Sequence, residues 1–142
     1  LGCSLAVVPD EGLRRRFKRA KAGIVPGVNV LGLTAAESAW RDGAEWLAAQ
    51  NAYLRDNRDY LAERIATLPG VTMAPVEATY LAWLDVRALG LEEPAAHFEA
   101  HGLGFSDGKD FAGPGFMRFN FACPRSVVEE ACDRLERAVA AV

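Results

Sequence analysis

An α+β fold, in which a small and mostly antiparallel sheet is covered by helices, is the architecture that this sequence predicts. A long helical pattern runs up to the Pro69-Gly70 pair, and short strand-like runs separated by turn residues follow it. The chain then closes on a strongly periodic helix that begins near Ser126. Its 142 residues, 51% hydrophobic and 25% charged, suit one ordinary globular domain that needs neither a disulfide nor a metal to fold.

Charge, apolar runs and cysteines exclude several classes of protein. The net charge of −3 gives the chain no overall attraction for nucleic acid. No apolar run approaches the roughly 18 residues of a membrane span, and the start lacks the basic region of a signal peptide. The three cysteines, Cys3, Cys123 and Cys132, form no C-x-x-C pair and are typical of reduced thiols. We therefore expect a cytoplasmic protein with neither a membrane nor a nucleic-acid partner.

The first 43 residues predict a buried strand followed by two helices. The apolar run 5–8 is typical of a strand that is covered on both faces in a parallel sheet. Residues 13–22 are strongly basic and form either a solvated surface helix, which the acidic remainder of the chain favours, or a patch for nucleic acid or an anionic membrane. Asn29 can then cap a helix over residues 30–40.

A long helix is predicted over residues 44–68. Aromatic residues recur in it every seven positions, and leucines follow one position behind, so that the two stripes form one broad apolar face. The residues of this face are Trp46, Leu47, Tyr53, Leu54, Tyr60 and Leu61. At 1.5 Å per residue the helix is about 35 Å long, which favours a helix that bridges two packing units.

Short strands and helices follow Gly70. The predicted strands are residues 79–86, 103–106 and 116–122. Residues 94–101 predict a short helix, with Pro94 in its first turn. Ser126 and Glu129 match a capping box at the start of the last helix.

Strand 116–122 carries the side chains with the clearest chemistry. Alternation places Phe116, Arg118 and Asn120 on one face and leaves the other face to the core. The core-facing residues are Met117, Phe119 and Phe121. Arginine offers a fixed fork of donors, and asparagine adds a donor and an acceptor, so this pair suits a planar carboxylate. The alternative is an arginine on the solvent face of a half-buried strand.

Other candidate sites are weaker. His97 and His101 have the i, i+4 spacing of a metal pair, but no third ligand lies near them in the sequence, which favours surface histidines. Lys18, Lys21 and Lys109 lie among charged or polar residues, whereas a reactive amine needs an apolar pocket. The sequence contains neither a nucleotide-binding glycine motif nor a nucleophile elbow.

A family resemblance runs through the chain in order. The segments LGCSLAVVPD, VNVLGLTAAESAWRDGAEWL, YLRDNRDYL, EATYLAWLD, FSDG and RFNFACPRS resemble the C-terminal part of class I/II aminotransferases. These are fold-type I enzymes that use pyridoxal phosphate (PLP), and the chain is most similar to their cystathionine β-lyase-like branch. EATYLAWLD and RFNFACPR are the most specific segments, and their occurrence together at this separation, with the long helix, makes the resemblance strong.

The resemblance implies a domain organisation and a set of site residues. Residues 1–43 would be the last strand and helices of the large PLP-binding α/β domain, residues 44–70 an inter-domain helix, and residues 71–142 the small C-terminal domain. Arg118 falls on the arginine that binds the substrate α-carboxylate in this family. Asn120 would support Arg118, and Tyr80 would lie on the wall of the small domain that faces the substrate. A homodimer is also implied, because the active sites of the family lie at a dimer interface.

The resemblance also implies a missing part. The family's Schiff-base lysine lies just before the segment that matches LGCS, and the aspartate that pairs with the pyridinium nitrogen lies further upstream. We therefore expect a fragment of a PLP-dependent aminotransferase or carbon–sulfur lyase of amino-acid metabolism. It would retain the carboxylate site but no catalytic residue and no bound PLP. The alternatives are a stand-alone α+β module that binds an amino acid or regulates another protein and, last, a nucleic-acid binder that uses the basic helix.

Overall fold

The computed structural model describes residues 2–142. Leu1, the first residue of the predicted remnant of a large domain, lies outside the described residues. Within residues 2–142 the helices are α1 (Glu11–Lys21), α2 (Val30–Asp42), α3 (Ala44–Ala66), α4 (Pro94–Ala100) and α5 (Arg125–Ala140). The strands are β1 (Thr72–Met73), β2 (Leu81–Asp85), β3 (Ser106–Asp107) and β4 (Phe116–Asn120), and Arg87–Leu89 and Gly108–Phe111 form short 3₁₀ helices.

The chain divides into two compact units, one ending at Ala49 and one spanning Gln50–Val142. In the first unit, the Asp10 carboxylate accepts a hydrogen bond of 2.6 Å from the Leu13 N–H and caps α1. The Asn29 side chain accepts one of 2.7 Å from the Gly32 N–H, so the predicted cap of α2 is confirmed. None of the residues Glu11–Lys21 is buried, which agrees with a solvated basic helix.

The predicted strand over residues 5–8 is wrong. Residues 2–10 form neither helix nor strand, and the side chains of Leu5 and Val7 are 70% and 81% exposed. A strand of a parallel sheet depends on neighbouring strands for its backbone hydrogen bonds. Between residues 2 and 49 the structure contains no other strand that could supply them.

The second unit contains an antiparallel sheet with the strand order β1-β2-β4-β3. Ala82 lies opposite Phe119 in the β2–β4 pair, and Ser106 lies opposite Arg118 in the β3–β4 pair. The prediction of a small antiparallel sheet covered by helices is therefore confirmed. The strand predicted over residues 103–106 is displaced to Ser106–Asp107, because pairing with β4 begins only at Ser106 and Leu103 is instead buried in the core.

One face of this sheet packs against helices α3, α4 and α5. Fully buried side chains come from each of these elements: Leu61, Leu84, Phe98, Met117, Leu135 and Val128. Phe119 and Phe121 are 5% and 1% exposed, so the predicted core face of strand 116–122 is confirmed. The opposite face, which carries Arg118, remains free of this core. It is the face on which the candidate site lies.

Helix α3 buries only part of its predicted apolar face. Leu61 is fully buried, and Leu54 and Tyr60 pack against the core of the second unit. Trp46 and Leu47 are exposed, because α3 begins in the first unit, where Gly32 is the buried residue among residues 2–49. The predicted stripe therefore packs over the later turns of the helix.

A buried amide ties α3 to the end of β4. Asn57 is 1% exposed, and its Nδ2 donates hydrogen bonds of 3.1 Å and 3.0 Å to the carbonyl oxygens of Phe121 and Cys123. Its Oδ1 accepts a long hydrogen bond of 3.4 Å from Arg125. Both ends of the amide thus have partners, as a buried polar group requires.

The predicted capping box at Ser126 is not formed, because α5 begins at Arg125 with Pro124 as its N-cap.

The cysteines differ strongly in burial, which predicts different reactivities. Cys3 is exposed, whereas Cys132 is buried, and burial raises the pKa of its thiol to about 11. Only the thiolate reacts with alkylating reagents. At pH 8 we expect iodoacetamide to label Cys3 readily and Cys132 only after denaturation, as measured by mass spectrometry of peptides. Equal labelling of the two cysteines in native buffer would contradict this burial.

Within residues 2–142, no helix combines the length and the apolar character needed to cross a lipid bilayer.

Candidate substrate-carboxylate site

Three neighbouring strands place one side chain each around the centre of the exposed sheet face. Arg118 of β4 lies opposite Trp83 of β2 on one side and opposite Ser106 of β3 on the other. In an antiparallel pair, residues directly opposite each other project from the same face. The sheet therefore brings a cation, a hydroxyl and an indole together, although Ser106 and Trp83 are far from Arg118 in the sequence.

The guanidinium of Arg118 is held by neutral groups. Its Nη2 donates a hydrogen bond of 3.0 Å to Ser106 Oγ. Its Cζ lies 4.2 Å from the centre of the Phe111 ring, in the range of a cation–π contact. The residue is half-buried, and no carboxylate forms an ion pair with it in the part of the chain that the structure describes. The guanidinium is therefore held in place while its charge remains unpaired within residues 2–142.

Arg87 shows the opposite arrangement on the same sheet face. Its guanidinium also lies over an aromatic ring, with Cζ 4.7 Å from the centre of Phe116. However, Arg87 Nη2 lies 2.6 Å from Asp85 Oδ2, and this pair neutralises the charge. The hydrogen bond from the Arg87 side chain, followed by the one from its backbone N–H, holds the pKa of Asp85 below its ordinary value. Arg87 is therefore already paired, whereas Arg118 is available to a ligand.

A tight turn brings the Phe111 ring to Arg118. The 3₁₀ helix Gly108–Phe111 ends at Ala112, whose φ of +58° is a left-handed conformation that disfavours residues with a β-carbon. A β-carbon at Gly108 would lie 2.3 Å from the carbonyl oxygen of Gly113 and 2.4 Å from that of Phe116. Glycine is therefore required at position 108, and the segment folds back closely on β4.

Asn120 and Tyr80 lie together at one end of the β2–β4 pair. Asn120 ends β4, and its Oδ1 accepts a hydrogen bond of 2.9 Å from the Ala122 N–H. Within residues 2–142 it forms no hydrogen bond to Arg118. The carbonyl oxygen of Tyr80 accepts one of 3.0 Å from the Phe121 N–H, and the Tyr80 side chain is 46% exposed. The three predicted site residues share one region of the sheet, but only Arg118 is held in a defined side-chain arrangement.

Two residues of this site escaped the sequence analysis. Ser106 was predicted only as the end of strand 103–106 and as part of the segment FSDG, and Phe111 lies in a turn without periodicity. Neither residue carries a charge that would mark it. The pair Asp107-Gly108 indicates a turn. It does not show which side chain the turn brings close to Arg118.

The histidine pair binds backbone carbonyls. His97 Nε2 lies 2.9 Å from the Ala138 carbonyl oxygen, and His101 Nδ1 lies 2.8 Å from that of His97. Both residues are half-buried. In residues 2–142, no group of three histidine, cysteine, aspartate or glutamate side chains is arranged to hold a metal ion. His97 therefore joins α4 to the end of α5.

The described lysines do not fit the aldehyde of PLP, which needs an amine that can lose its proton. Lys109 Nζ lies 2.9 Å from Asp107 Oδ2 and 3.8 Å from Glu93 Oε2. The hydrogen bond with Asp107 is the main cause of a raised pKa for Lys109. Lys18 and Lys21 are exposed on α1. None of these three lysines therefore has the surroundings that a Schiff base with PLP requires.

Comparisons with curated proteins give relatives of one kind, although no family model matches the chain. The chain is 38% identical over 120 residues to Protein MalY of Escherichia coli, covering 80% of this chain and 31% of MalY. It is 38% identical over 138 residues to the cystathionine β-lyase of Corynebacterium glutamicum, covering 95% of this chain and 37% of the relative. The chain thus spans about a third of the length of these relatives.

Solved structures agree with this result. The crystal structure of OvoB is 51% identical, with a TM-score of 0.90 over 96% of this chain and 36% of that chain. The PLP-bound C–S lyase of Staphylococcus hominis is 28% identical, with a TM-score of 0.78 over 94% of this chain and 37% of that chain.

Proposed function

This chain is homologous to part of the cystathionine β-lyases and of the PLP-dependent aminotransferases, and from this premise we propose that it supplies the α-carboxylate site of such an enzyme. The whole protein would be a homodimeric carbon–sulfur lyase or aminotransferase that acts on amino acids in the cytoplasm. Residues 71–142 would form its small domain, residues 44–70 the inter-domain helix, and residues 1–43 the end of the large domain.

The single observation that supports this role is the state of Arg118. Its guanidinium is half-buried, is held by Ser106 and Phe111, and has no acidic partner among residues 2–142. A substrate carboxylate would supply the missing negative charge through two parallel N–H···O bonds. Every amino-acid substrate carries this carboxylate, whatever its side chain. Arg118 would thus hold the α-carbon in one place, while Tyr80 and Asn120 border the site.

PLP would supply the electron sink for the reaction in the whole enzyme, and its binding residues would lie outside residues 2–142. This chain's own contribution would be to bind and orient the carboxylate. In the proposed enzyme, this chain would orient the substrate, whereas PLP and residues outside 2–142 would carry out the chemistry on the α-carbon.

A product assay of the full-length protein tests the enzyme class. We expect pyruvate release from cystathionine, since the curated relatives include proteins named cystathionine β-lyase. Amino transfer to a keto acid without pyruvate release would assign the aminotransferase class. Failure of both reactions with PLP-loaded protein, for a panel of amino acids, would contradict the proposal.

The 142-residue chain alone should not form a specific adduct with PLP. Lys109 is paired with Asp107, and Lys18 and Lys21 are exposed on α1, so borohydride reduction after incubation with PLP should give no stoichiometric product at one lysine. Peptide mass spectrometry measures this, with full-length protein as the positive control. A single lysine of this chain modified at one equivalent would show that it carries its own PLP site.

The alternative, a stand-alone module that binds an amino acid, is favoured by one observation. Residues Gln50–Val142 enclose their own hydrophobic core, and within residues 2–142 every buried side-chain polar atom has a hydrogen-bond partner. Calorimetry with the 142-residue chain and free amino acids tests this function. Micromolar affinity that is lost in Arg118→Ala would support the module, whereas absence of binding is expected if the chain works only within the larger enzyme.

A further inference from the structure

We infer that Phe111 and Ser106 are positioning residues, which hold the Arg118 guanidinium in the orientation that binds the substrate carboxylate. This inference rests on the proposed function, because it assigns to two further residues a role in the same site. It follows from two contacts: the 4.2 Å distance between Arg118 Cζ and the centre of the Phe111 ring, and the 3.0 Å hydrogen bond between Arg118 Nη2 and Ser106 Oγ.

Both contacts restrict the guanidinium without cancelling its charge. An arginine side chain loses much rotamer freedom when it binds a ligand, and holding it beforehand reduces that loss. The Phe111 ring carries no hydrogen-bond acceptor, so the N–H groups of Arg118 that Ser106 does not accept from remain available to a ligand. An acidic partner would also hold the group but would compete with the ligand, as Asp85 does at Arg87. Neutral partners are therefore the arrangement that suits anion binding.

The Phe111 ring is itself held in place. It meets the Trp83 ring edge to face, with the ring centres 6.2 Å apart. The turn that carries it closes with the Ala112 N–H donating to the Lys109 carbonyl oxygen at 3.4 Å and the Gly113 N–H donating to that of Gly108 at 2.9 Å. Because these contacts fix the Phe111 ring, the ring can restrict the position of the Arg118 guanidinium, although Phe111 is partly exposed.

Ser106 provides the second restraint from the neighbouring strand. It lies directly opposite Arg118 in the β3–β4 pair, so the backbone fixes the distance between the two side chains. The hydroxyl accepts a hydrogen bond from Arg118 and keeps its own proton, which can be donated to an oxygen of the bound carboxylate. Ser106 therefore limits the rotation of the guanidinium about its long axis.

A double-mutant cycle in the full-length PLP-loaded enzyme tests the inference. Phe111→Leu should raise KM for the amino acid roughly 2- to 5-fold, which corresponds to the loss of a partly exposed cation–π contact, with little change in kcat. Phe111→Tyr keeps the ring and should restore the KM of the unmodified enzyme. Ser106→Ala should raise KM by a smaller factor. In an Arg118→Ala background, Phe111→Leu and Ser106→Ala should have no further effect, because the group that they position is gone.

Tyr60→Leu is the matched control, since the Tyr60 ring also lies under an arginine, with Arg125 Cζ 4.0 Å from its centre, but on helix α3 at the opposite face of the sheet, and it should leave KM unchanged. If Phe111→Leu leaves KM unchanged, or if its effect persists in full in the Arg118→Ala background, the inference is wrong while the proposed function stands. If Arg118→Ala itself leaves KM and kcat/KM unchanged, the proposed function fails instead. A fall in kcat at constant KM for Phe111→Leu would also overturn a positioning role in binding.

Discussion

In the proposed full-length enzyme, Arg118→Ala is expected to lower kcat/KM for the amino-acid substrate by roughly 30-fold or more, mainly through a higher KM. The reason is that truncating one partner of a buried, hydrogen-bonded charge pair costs about 2–5 kcal/mol. The two side chains that contact Arg118, Ser106 and Phe111, are both neutral. Neither of them can replace the charge or the paired donors that the substitution removes. Steady-state kinetics with varied amino-acid concentration measures the effect.

Two controls separate carboxylate binding from general damage. Arg87→Ala removes an arginine that also lies over an aromatic ring of this sheet but is already paired with Asp85, so kcat/KM should change little. Arg118→Ala should also lose its penalty when the substrate is the corresponding amine, which has no α-carboxylate. If the Arg118→Ala variant kept a near-normal kcat/KM for the amino acid, Arg118 would not be the residue that binds the substrate carboxylate.

The second large effect concerns stability. Phe98→Ala is expected to lower the free energy of unfolding of the 142-residue chain by about 3–5 kcal/mol, because it removes a fully buried aromatic side chain and leaves a cavity. Phe98 packs on Phe105, with ring centres 5.5 Å apart, and Phe105 packs on Phe119 at 5.2 Å. The loss would therefore weaken the support beneath β4. Urea denaturation followed by circular dichroism measures it.

Val127→Ala is the control for this measurement, since Val127 is 48% exposed on α5 and surface substitutions usually change stability by no more than about 0.5 kcal/mol. A Phe98→Ala variant with the midpoint and slope of the unmodified chain would show that the core around α4 is not packed as described.

Much of the fold could be predicted because it depends on local patterns. Helices with clear periodicity and caps, such as the one begun by Asn29, lie where the sequence indicates. Alternation assigned the two faces of strand 116–122 correctly, and the family resemblance carried by EATYLAWLD and RFNFACPR is confirmed by the cystathionine β-lyase relatives. These predictions need only neighbouring residues or a matching set of segments.

Features that depend on distant partners were missed. The apolar run at residues 5–8 has the composition of a strand, but within residues 2–49 it has no strand to pair with. Arg118 could be proposed from alternation alone, whereas Ser106 and Phe111 join it only through strand pairing and the turn at Gly108–Phe111. Residue type and spacing hold no information about such long-range contacts. The roles of Asn120 and Tyr80 stay predictions.

The glycine at position 108 has a consequence for how this site can diverge among related enzymes. Because a β-carbon there would collide with two backbone oxygens, any other residue would have to displace the turn and, with it, the aromatic ring that it carries. In the proposed enzyme, new substrate preferences would therefore arise more readily through exchanges of exposed side chains near Arg118 than through changes in this turn. A residue without a functional group thus limits which substitutions this part of the protein can tolerate.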